Sequence, residues 1–552
     1  MPEPVVGTGR PRARERRTRV SWSDVPGCPA RGLVSKEVAG GGMRQLRWLL
    51  VALAAIGCGL PKNVVRPPSS ALVDTRHTTL GELTVPAEAK HPGESGFLLF
   101  NTGEGAIQAR VAMADVAQSS IDAQYFMWGR DTVGRVLFDR MMAAADRGVR
   151  VRLLIDDYWS SGEDLPFETI DAHPNIEVRV FNPFARGRMR VTQLLGRFTE
   201  LNRRMHKKLF VADGQLAVVG GRNLIDDYFG LGKEICYRDF DLLAMGPVVS
   251  QAEAAFDQSW NSQWAYPISS LVKPASQAER DRALARFSAR VAADRATFPY
   301  ALPHDRDTAL AWLVQFRGKG VWGPAELIYD DPQSVADPVQ APPHRVWEKM
   351  DAVARQTEHE IVIENPYLLP EPKMPTVRAL RERGVQLRML TNSLGTADEI
   401  PLNAYYAKAR PEMVDLGVEL YELKPYAASR ALYIARPATS EAHLALHGKA
   451  TVFDRKTVAI GSFNLDPRSM DLDTEMVFVV QSPQLAAQVL DAFAPDFAPE
   501  NAWRIAGVAG EGSVAWITQN PARPLVEPHD PASAWRRFLR SIERILPVAS
   551  LL

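Results

Sequence analysis

Two stretches of the chain carry the same hydrophobic pattern about 240 residues apart. Ala144–Asp157 reads AADRGVRVRLLIDD, and Leu380–Ser393 reads LRERGVQLRMLTNS. Each predicts a helix that stops at Arg-Gly, where glycine can take the left-handed cap. Each then predicts an apolar, β-branched strand. Upstream, Ser120–Met127 (SIDAQYFM) and Glu360–Tyr367 (EIVIENPY) predict further strands. Later comes a second matched pair, Met205–Asn223 (MHKKLFVADGQLAVVGGRN) and Leu446–Asn464 (LHGKATVFDRKTVAIGSFN). Both read as strand, turn, strand, with the turn at Asp213-Gly214 or Asp454-Arg455 and a Gly-x-x-Asn loop after it. Strand–helix–strand order with short connections indicates an α/β fold. Its simplest form is a duplicated α-β-α domain, two tandem copies related by a pseudo-twofold and sharing one active site.

The copies are expected at 96–265 and 341–500. Residues 266–328 are rich in helix formers, including Ala275–Ala296, so 266–340 reads as a helical insert and linker. The Pro-rich run Tyr329–Pro343 (YDDPQSVADPVQAPP) marks the boundary. A C-terminal extension, 501–552, follows.

The amino terminus reads as an address. Residues 9–19 (GRPRARERRTR) hold six arginines without a core-forming pattern, which predicts disorder or a misplaced start codon. Met43–Gly57 resembles a signal peptide, with Arg44 and Arg47 ahead of an apolar run from Trp48 to Ile56. Ala55-Ile56-Gly57-Cys58 resembles a bacterial lipobox, which would make Cys58 the acylated first residue of a lipoprotein. An uncleaved anchor and a chance apolar run are the alternatives. Residues 58–95, with PKNVVRPPSS at 61–70, are expected to form a polar tether.

Charge changes the picture less than its zero total suggests. Residues 1–57 carry a net charge of +6, which leaves −6 on the remainder. An acidic body argues against indiscriminate nucleic-acid binding, which needs a broad basic surface. The chain has three cysteines, too few for a disulfide framework at this size. No run is long and apolar enough for a strong spanning helix.

Candidate chemistry lies in a repeated His-x-Lys-x4-Asp: His206, Lys208 and Asp213, then His447, Lys449 and Asp454. On a strand, positions i and i+2 face one side, so each histidine projects with its lysine. With ten histidines, one match arises by chance in roughly one or two chains per hundred. Two matches in aligned repeats do not. These residue types suit displacement at phosphorus. One imidazole attacks a phosphodiester and forms a phosphohistidine, the other protonates the departing alkoxide, and the ammonium groups hold the non-bridging oxygens.

With this duplicated motif the chain is identified as a member of the phospholipase D superfamily, over residues 96–500. Within it, the chain is most similar to short, non-polytopic bacterial cardiolipin synthases. The supporting stretches are Ile121–Trp128 (IDAQYFMW), Gly220–Asn223 (GGRN), Tyr237–Asp241 (YRDFD), Gly461–Ser469 (GSFNLDPRS) and Trp535–Leu552. The resemblance implies two tandem phospholipase D-like domains, with His206 and His447 as nucleophile and general acid, His206 favoured as nucleophile. It implies Lys208, Lys449, Asn223 and Asn464 on the phosphate. It also implies a downstream acid orienting each histidine, Glu475 in the second half and Asp239 or Asp241 in the first. Asp213 and Asp454 belong to the catalytic motif and can also fix their turns. No metal or cofactor is implied.

Two segments suggest contact with a membrane surface. Phe184–Lys208 carries Arg186, Arg188, Arg190, Arg197, Arg203 and Arg204, which can draw an anionic headgroup toward His206 or simply form a solvated loop. Trp535, Phe538, Leu539, Ile542, Ile545 and Leu546 follow helical spacing, with arginines on the other faces. That helix can lie on a bilayer or pack on its own domain. Three activities follow: phosphatidyl transfer to a lipid alcohol giving cardiolipin, hydrolysis to phosphatidic acid, and, disfavoured by the acidic body, nucleic-acid phosphodiesterase.

Overall fold

The computed structural model describes residues 59–335, 345–368, 374–436, 440–508, 513–518 and 525–543, apart from Ser161. The signal-peptide and lipobox readings, Cys58 included, lie outside the described residues.

Two large sheets form the body. The first runs Val321–Gly323, Ser95–Phe100, Asp241–Met245, Leu216–Gly220, Leu209–Ala212, Ser120–Tyr125, Arg150–Asp156, Ile176–Phe181 and Ala265–Pro267. The second runs Ala325–Tyr329, Met476–Gln481, Thr457–Gly461, Ala450–Phe453, Glu360–Glu364, Gln386–Asn392, Glu419–Leu423, Ala502–Val508, Ser513–Thr518 and Leu525–Glu527. From Ser95–Phe100 in one and Ala325–Tyr329 in the other, the spatial order is the same for eight strands. The pairings match as well. Ser120–Tyr125 is parallel to Arg150–Asp156, as Glu360–Glu364 is to Gln386–Asn392, and the motif strands pair antiparallel. The duplication read from the hydrophobic pattern is thus a duplication of topology.

Local chemistry sets the corners. Gly148 and Gly384 have positive φ, 94° and 84°, after the helices Thr132–Asp146 and Met374–Glu382. The hairpin turns after the motif strands have positive φ at both central residues, Asp213 with Gly214 and Asp454 with Arg455. That geometry matches the twist of the flanking strands.

The two sheets share one apolar layer. Phe97, Leu209 and Val219 of the first meet Val452, Ile460 and Phe478 of the second. Phe97 and Phe478 pack edge to face with centroids 5.6 Å apart. Helix Pro247–Trp260 packs on strand Ala325–Tyr329 of the other half, and helix Pro483–Phe497 packs back on Ser95–Phe100. This exchange makes one rigid core across the dyad, a good base for a site built from both halves.

Two expectations change, and the last helix gains a neighbour. Residues 59–95 are not a free tether: Arg150 and Arg152 donate to the carbonyls of Ser70 and Ser69, and helix Thr79–Glu88 buries Leu80 and Leu83 in the first core. The insert is helical over Gln277–Thr297 and Arg306–Lys319, but Val321–Gly323 and Ala325–Tyr329 are edge strands, one for each sheet. Their β-branched and aromatic residues complete the two sheets, which outweighs the helical character of the sequence before them. Finally, helix Ala534–Glu543 packs against Ile400–Asp415 of the second half. No helix among the described residues is long and apolar enough to cross a membrane.

Candidate active site

Each motif histidine is brought to the dyad by a strand exchange. His443–Leu446, just before His447, runs parallel to Ile235–Arg238 of the first half. Its counterpart is a parallel bridge between Met205, just before His206, and Thr474 of the second half. The backbone amide of His206 donates to Thr474 O at 3.0 Å, and that of His447 donates to Arg238 O at 2.8 Å. The residue after each of these acceptors is an acid, Glu475 and Asp239. Backbone pairing therefore delivers each acid to the histidine of the opposite half.

The acids do cross over. His206 Nδ1 lies 2.9 Å from Glu475 Oε1 and 3.1 Å from Oε2. His447 Nδ1 lies 2.7 Å from Asp239 Oδ2. An acid paired with the histidine of its own half is ruled out by this register. Asp241 is elsewhere, bound by Arg110 at 2.8 Å and Arg222 at 3.3 Å. His206, Lys208, Asn223, Asp239, His447, Lys449, Asn464 and Glu475 are all buried.

Both lysines act on both imidazoles. Lys208 Nζ donates to His206 O at 2.6 Å, and Lys449 Nζ donates to His447 O at 2.5 Å while standing 2.8 Å from His447 Nδ1. Burial comes first, and then these ammonium charges press each ring toward neutrality. His206 is held well below the ordinary histidine range, and His447 is lowered to about 3. Burial likewise pushes Lys208 well down and Lys449 to about 8. A buried site with two depressed lysines and two depressed histidines attracts an anion strongly, because bound negative charge restores all four. Asn223 Oδ1 and Asn464 Oδ1 are buried without a hydrogen-bond partner, and both amides sit in loops that follow the motif strands.

Asp213 and Asp454 do not join this group. Asp213 accepts backbone amides of Gln118, Ser119 and Ser120 at 2.7–3.1 Å. Asp454 accepts those of Glu358, His359 and Glu360 at 2.7–3.0 Å. Each carboxylate ties its own turn to the start of a neighbouring strand, at the far end of the motif strand from the histidine. They are turn-fixing groups, not members of the reacting set. The arginines of 184–208 are also largely engaged inside the protein. Arg186 binds Asp157 and Asp164, Arg197 binds Glu200, and Arg204 is buried on Asp156. Cys236 is a free, buried thiol that burial pushes up to about 11.

Three site residues escaped the sequence reading. Tyr228 places its hydroxyl 3.3 Å from His447 Nε2. Ser462 donates to Glu475 Oε2, and Ser469 donates to Glu475 Oε1 at 2.7 Å. The only sequence signal lies in the aligned loops, where Ser462 stands opposite Gly221 and Ser469 opposite Tyr228.

The comparisons agree with this architecture. Residues 111–260 and 351–497 match the family described as cardiolipin synthase, PLD-like domain. The chain is 34% identical to cardiolipin synthase C of Escherichia coli, over 86% of this chain and 99% of that one. It is 26% identical to cardiolipin synthase A of Pseudomonas aeruginosa, over 73% and 66%. Its fold is similar to the crystal structure of phosphatidylserine synthase from Haemophilus influenzae, with a TM-score of 0.52 at 13% identity over 85% of this chain and 99% of that one. With both motif halves matched and one relative aligned along nearly its whole length, the chain belongs to the phospholipase D-like cardiolipin synthase family.

Proposed function

We propose that the protein is a phosphatidyltransferase that makes cardiolipin from phosphatidylglycerol and a second phospholipid through a phosphohistidine. The observation that carries this reading is the crossed pair of imidazole–carboxylate contacts in one buried site with two ammonium groups.

In the first step Nε2 of one imidazole attacks phosphorus, the bond to the departing glycerol oxygen breaks, and the other imidazolium gives that oxygen its proton. In the second step the same imidazole, now neutral, removes the proton of an acceptor hydroxyl. The acceptor oxygen displaces the histidine and the P–N bond breaks. Lys208, Lys449, Asn223 and Asn464 hold the non-bridging oxygens in both steps.

The electrostatics favour His206 as the nucleophile. Asp239 is buried, yet the hydrogen bond and charge of His447, then Lys449, pull it to about 2. A firmly ionised Asp239 opposes the burial and ammonium charge that lower His447, so that once a phosphate anion is bound it supports the imidazolium a general acid needs. Burial instead pushes Glu475 up to about 8, against the pull of Lys208 and the two serine hydroxyls. His206 then has a weaker anion behind it and stays neutral. We propose further that acylation at Cys58 ties the chain to the cell envelope, facing the periplasm. Mass spectrometry of the membrane fraction tests this, and an unmodified Cys58 in a chain starting at Met1 rejects it.

The test of function is incubation of purified protein with labelled phosphatidylglycerol, alone and with phosphatidylethanolamine. Cardiolipin is expected. Phosphatidic acid as sole product would make water the acceptor, and DNA cleavage without lipid turnover would overturn the lipid reading.

A further inference from the structure

Two exposed apolar patches are wired to the two imidazoles, one in each half. In the first half His206 packs edge-on against Phe126 at 5.0 Å, Phe126 stacks on Tyr158 at 6.3 Å, and Tyr158 meets Trp159 at 5.5 Å. The series starts at a buried histidine and ends in solvent, with Trp159 56% exposed. Arg190 donates to Tyr158 O at 2.5 Å and so fixes the start of helix Arg190–Leu201 beside these rings. Met189, Val191 and Phe198 of that segment are also exposed, Met189 at 70%.

The second half links its histidine to a surface patch by a different route. His447 packs against Tyr237 at 5.3 Å, and the hydroxyls of Tyr237 and Tyr367 both donate to Asp398, at 3.2 and 2.8 Å. The loop carrying Asp398 is held by Arg536, whose guanidinium donates to Leu394 O at 2.6 Å and to Ala397 O. Arg536 belongs to helix Ala534–Glu543, which shows Trp535, Phe538 and Ile542 to solvent, Trp535 at 64%. The loops after Arg150–Asp156 and Gln386–Asn392 follow equivalent strands, so both patches hang from the same end of the dyad-related sheets.

The orientation of the last helix is the telling feature. A helix packed on its own domain turns its apolar stripe inward and its charges outward. Here Arg536 holds the loop at 394–397, Arg537 donates to Asp530 O, and Arg540 pairs with Asp530. The arginines face the body, and the stripe at 535, 538 and 542 faces out. Exposed tryptophans at the rim of a site, rather than scattered singly, mark an interaction surface. Tryptophan and tyrosine suit the headgroup level of a bilayer, with a polar edge in water and an apolar body in lipid.

We propose that the two patches form one bilayer-docking face, which sets the site against the lipid surface with Trp159 on one flank and Trp535 on the other. This rests on the phospholipid reading above. It explains how a buried pair of imidazoles reaches the phosphate of a lipid that stays in its membrane: the protein seats both patches in the interface, and each connects to one histidine, the first through stacked rings and the second through Arg536, the loop of Asp398 and Tyr237.

The test uses the full chain with vesicles of phosphatidylglycerol carrying brominated acyl chains, which quench tryptophan on contact. Quenching is expected in the native protein, reduced in Trp159→Phe and in Trp535→Phe, and largely lost in the double variant. Unchanged quenching in the double variant would overturn the proposal. A second variant, Met189→Ser with Phe538→Ser, is expected to lose about tenfold or more of vesicle turnover through a higher apparent KM. It should still turn over a short-chain phosphatidylglycerol kept monomeric in solution. Equal loss on monomeric lipid would overturn docking in favour of a structural role. Native protein that self-associates in solution, with the double variant monomeric, would assign the face to a second copy of this chain. Should neither lipid be turned over, the phospholipid reading fails while quenching still reports on docking.

Discussion

The two half-sites share a backbone plan and differ in how each acid is held. Around His447, Asp239 is clamped by its own neighbourhood: Phe240 N donates to Oδ1 at 2.7 Å, and a side chain at Gly221 would place its Cβ 2.2 Å from that oxygen. Around His206, the equivalent loop position is Ser462, and its hydroxyl joins that of Ser469 on the carboxylate of the longer Glu475. Opposite Ser469 stands Tyr228, which turns to Nε2 of His447 instead of to an acid. One half-site therefore holds a small, firmly ionised carboxylate with a phenol at the reacting nitrogen. The other holds a longer acid that burial pushes toward its neutral form. Duplication supplied the geometry, and a few loop substitutions set two proton inventories on it.

Deleting each imidazole has the largest expected effect. His206→Ala and His447→Ala are each expected to abolish turnover, by about a thousandfold or more, with melting temperature little changed. Near-native turnover in either variant would end the shared-site mechanism. The asymmetry predicts more: phosphohistidine should be trapped in His447→Ala, where the nucleophile survives, and not in His206→Ala. The reverse pattern would exchange the two roles and leave the site intact.

The acids come next. Asp239→Asn keeps the shape but removes a carboxylate that is ionised under all working conditions, so a loss on the order of a thousandfold is expected, as for other carboxylates that fix a histidine tautomer. Glu475→Gln removes less charge, and one serine hydroxyl can still donate to the amide oxygen while the other accepts from the amide nitrogen. A loss of about ten- to a hundredfold is expected, the usual scale for a group that orients a reacting one. Equal losses, read as kcat/KM on the same lipid, would show that the two half-sites work alike.

A smaller effect is expected from pH. Lys449 is lowered to about 8, so its ammonium is present below that value and is lost as pH rises through it. Lipid binding should weaken above about pH 8, by no more than about tenfold per unit, the slope of a single proton. Lys449→Arg stays charged throughout, so this limb should move upward even if the variant is slower overall. A wild-type KM that stays flat to pH 9.5 would remove Lys449 from the phosphate site.

Much of this was legible in the sequence. The helix stops at Gly148 and Gly384, the turns at Asp213 and Asp454, and the order of strands around them all rest on short-range chemistry, which a hydrophobic pattern and a few turn residues record. The crossing of Glu475 to His206 and of Asp239 to His447 was not legible, because it depends on which of two equivalent strands each segment pairs with. The edge strands at 321–329 were hidden for the same reason: their partners lie more than seventy residues away. Tyr228, Ser462 and Ser469 were visible only as positions where the aligned halves disagree. The strapping of residues 66–71 along the first sheet left no pattern at all, since it is made by arginines of other segments binding its carbonyls.

The motif aspartates offer the mildest and most discriminating test. Asp213 and Asp454 lie in the same motif as the imidazoles, yet each fixes a turn through three backbone amides. Replacing either by asparagine removes charge from these hydrogen bonds, at a cost of roughly 1–2 kcal/mol for bonds to a charged group. Asp213 is fully buried, whereas Asp454 is partly open to solvent, so Asp213→Asn should lower the melting temperature more. The three amides hold Asp454 below the ordinary carboxylate range even though burial opposes them. Its contribution is therefore complete above the unfolded value of about 4 and declines as pH falls through the lower folded value, so the stability gap between wild type and Asp454→Asn should narrow in acid. In both variants kcat per folded molecule should stay near native. A large fall in kcat without a fall in stability would return these carboxylates to the reacting set, and the two half-sites would then differ by less than their loops suggest.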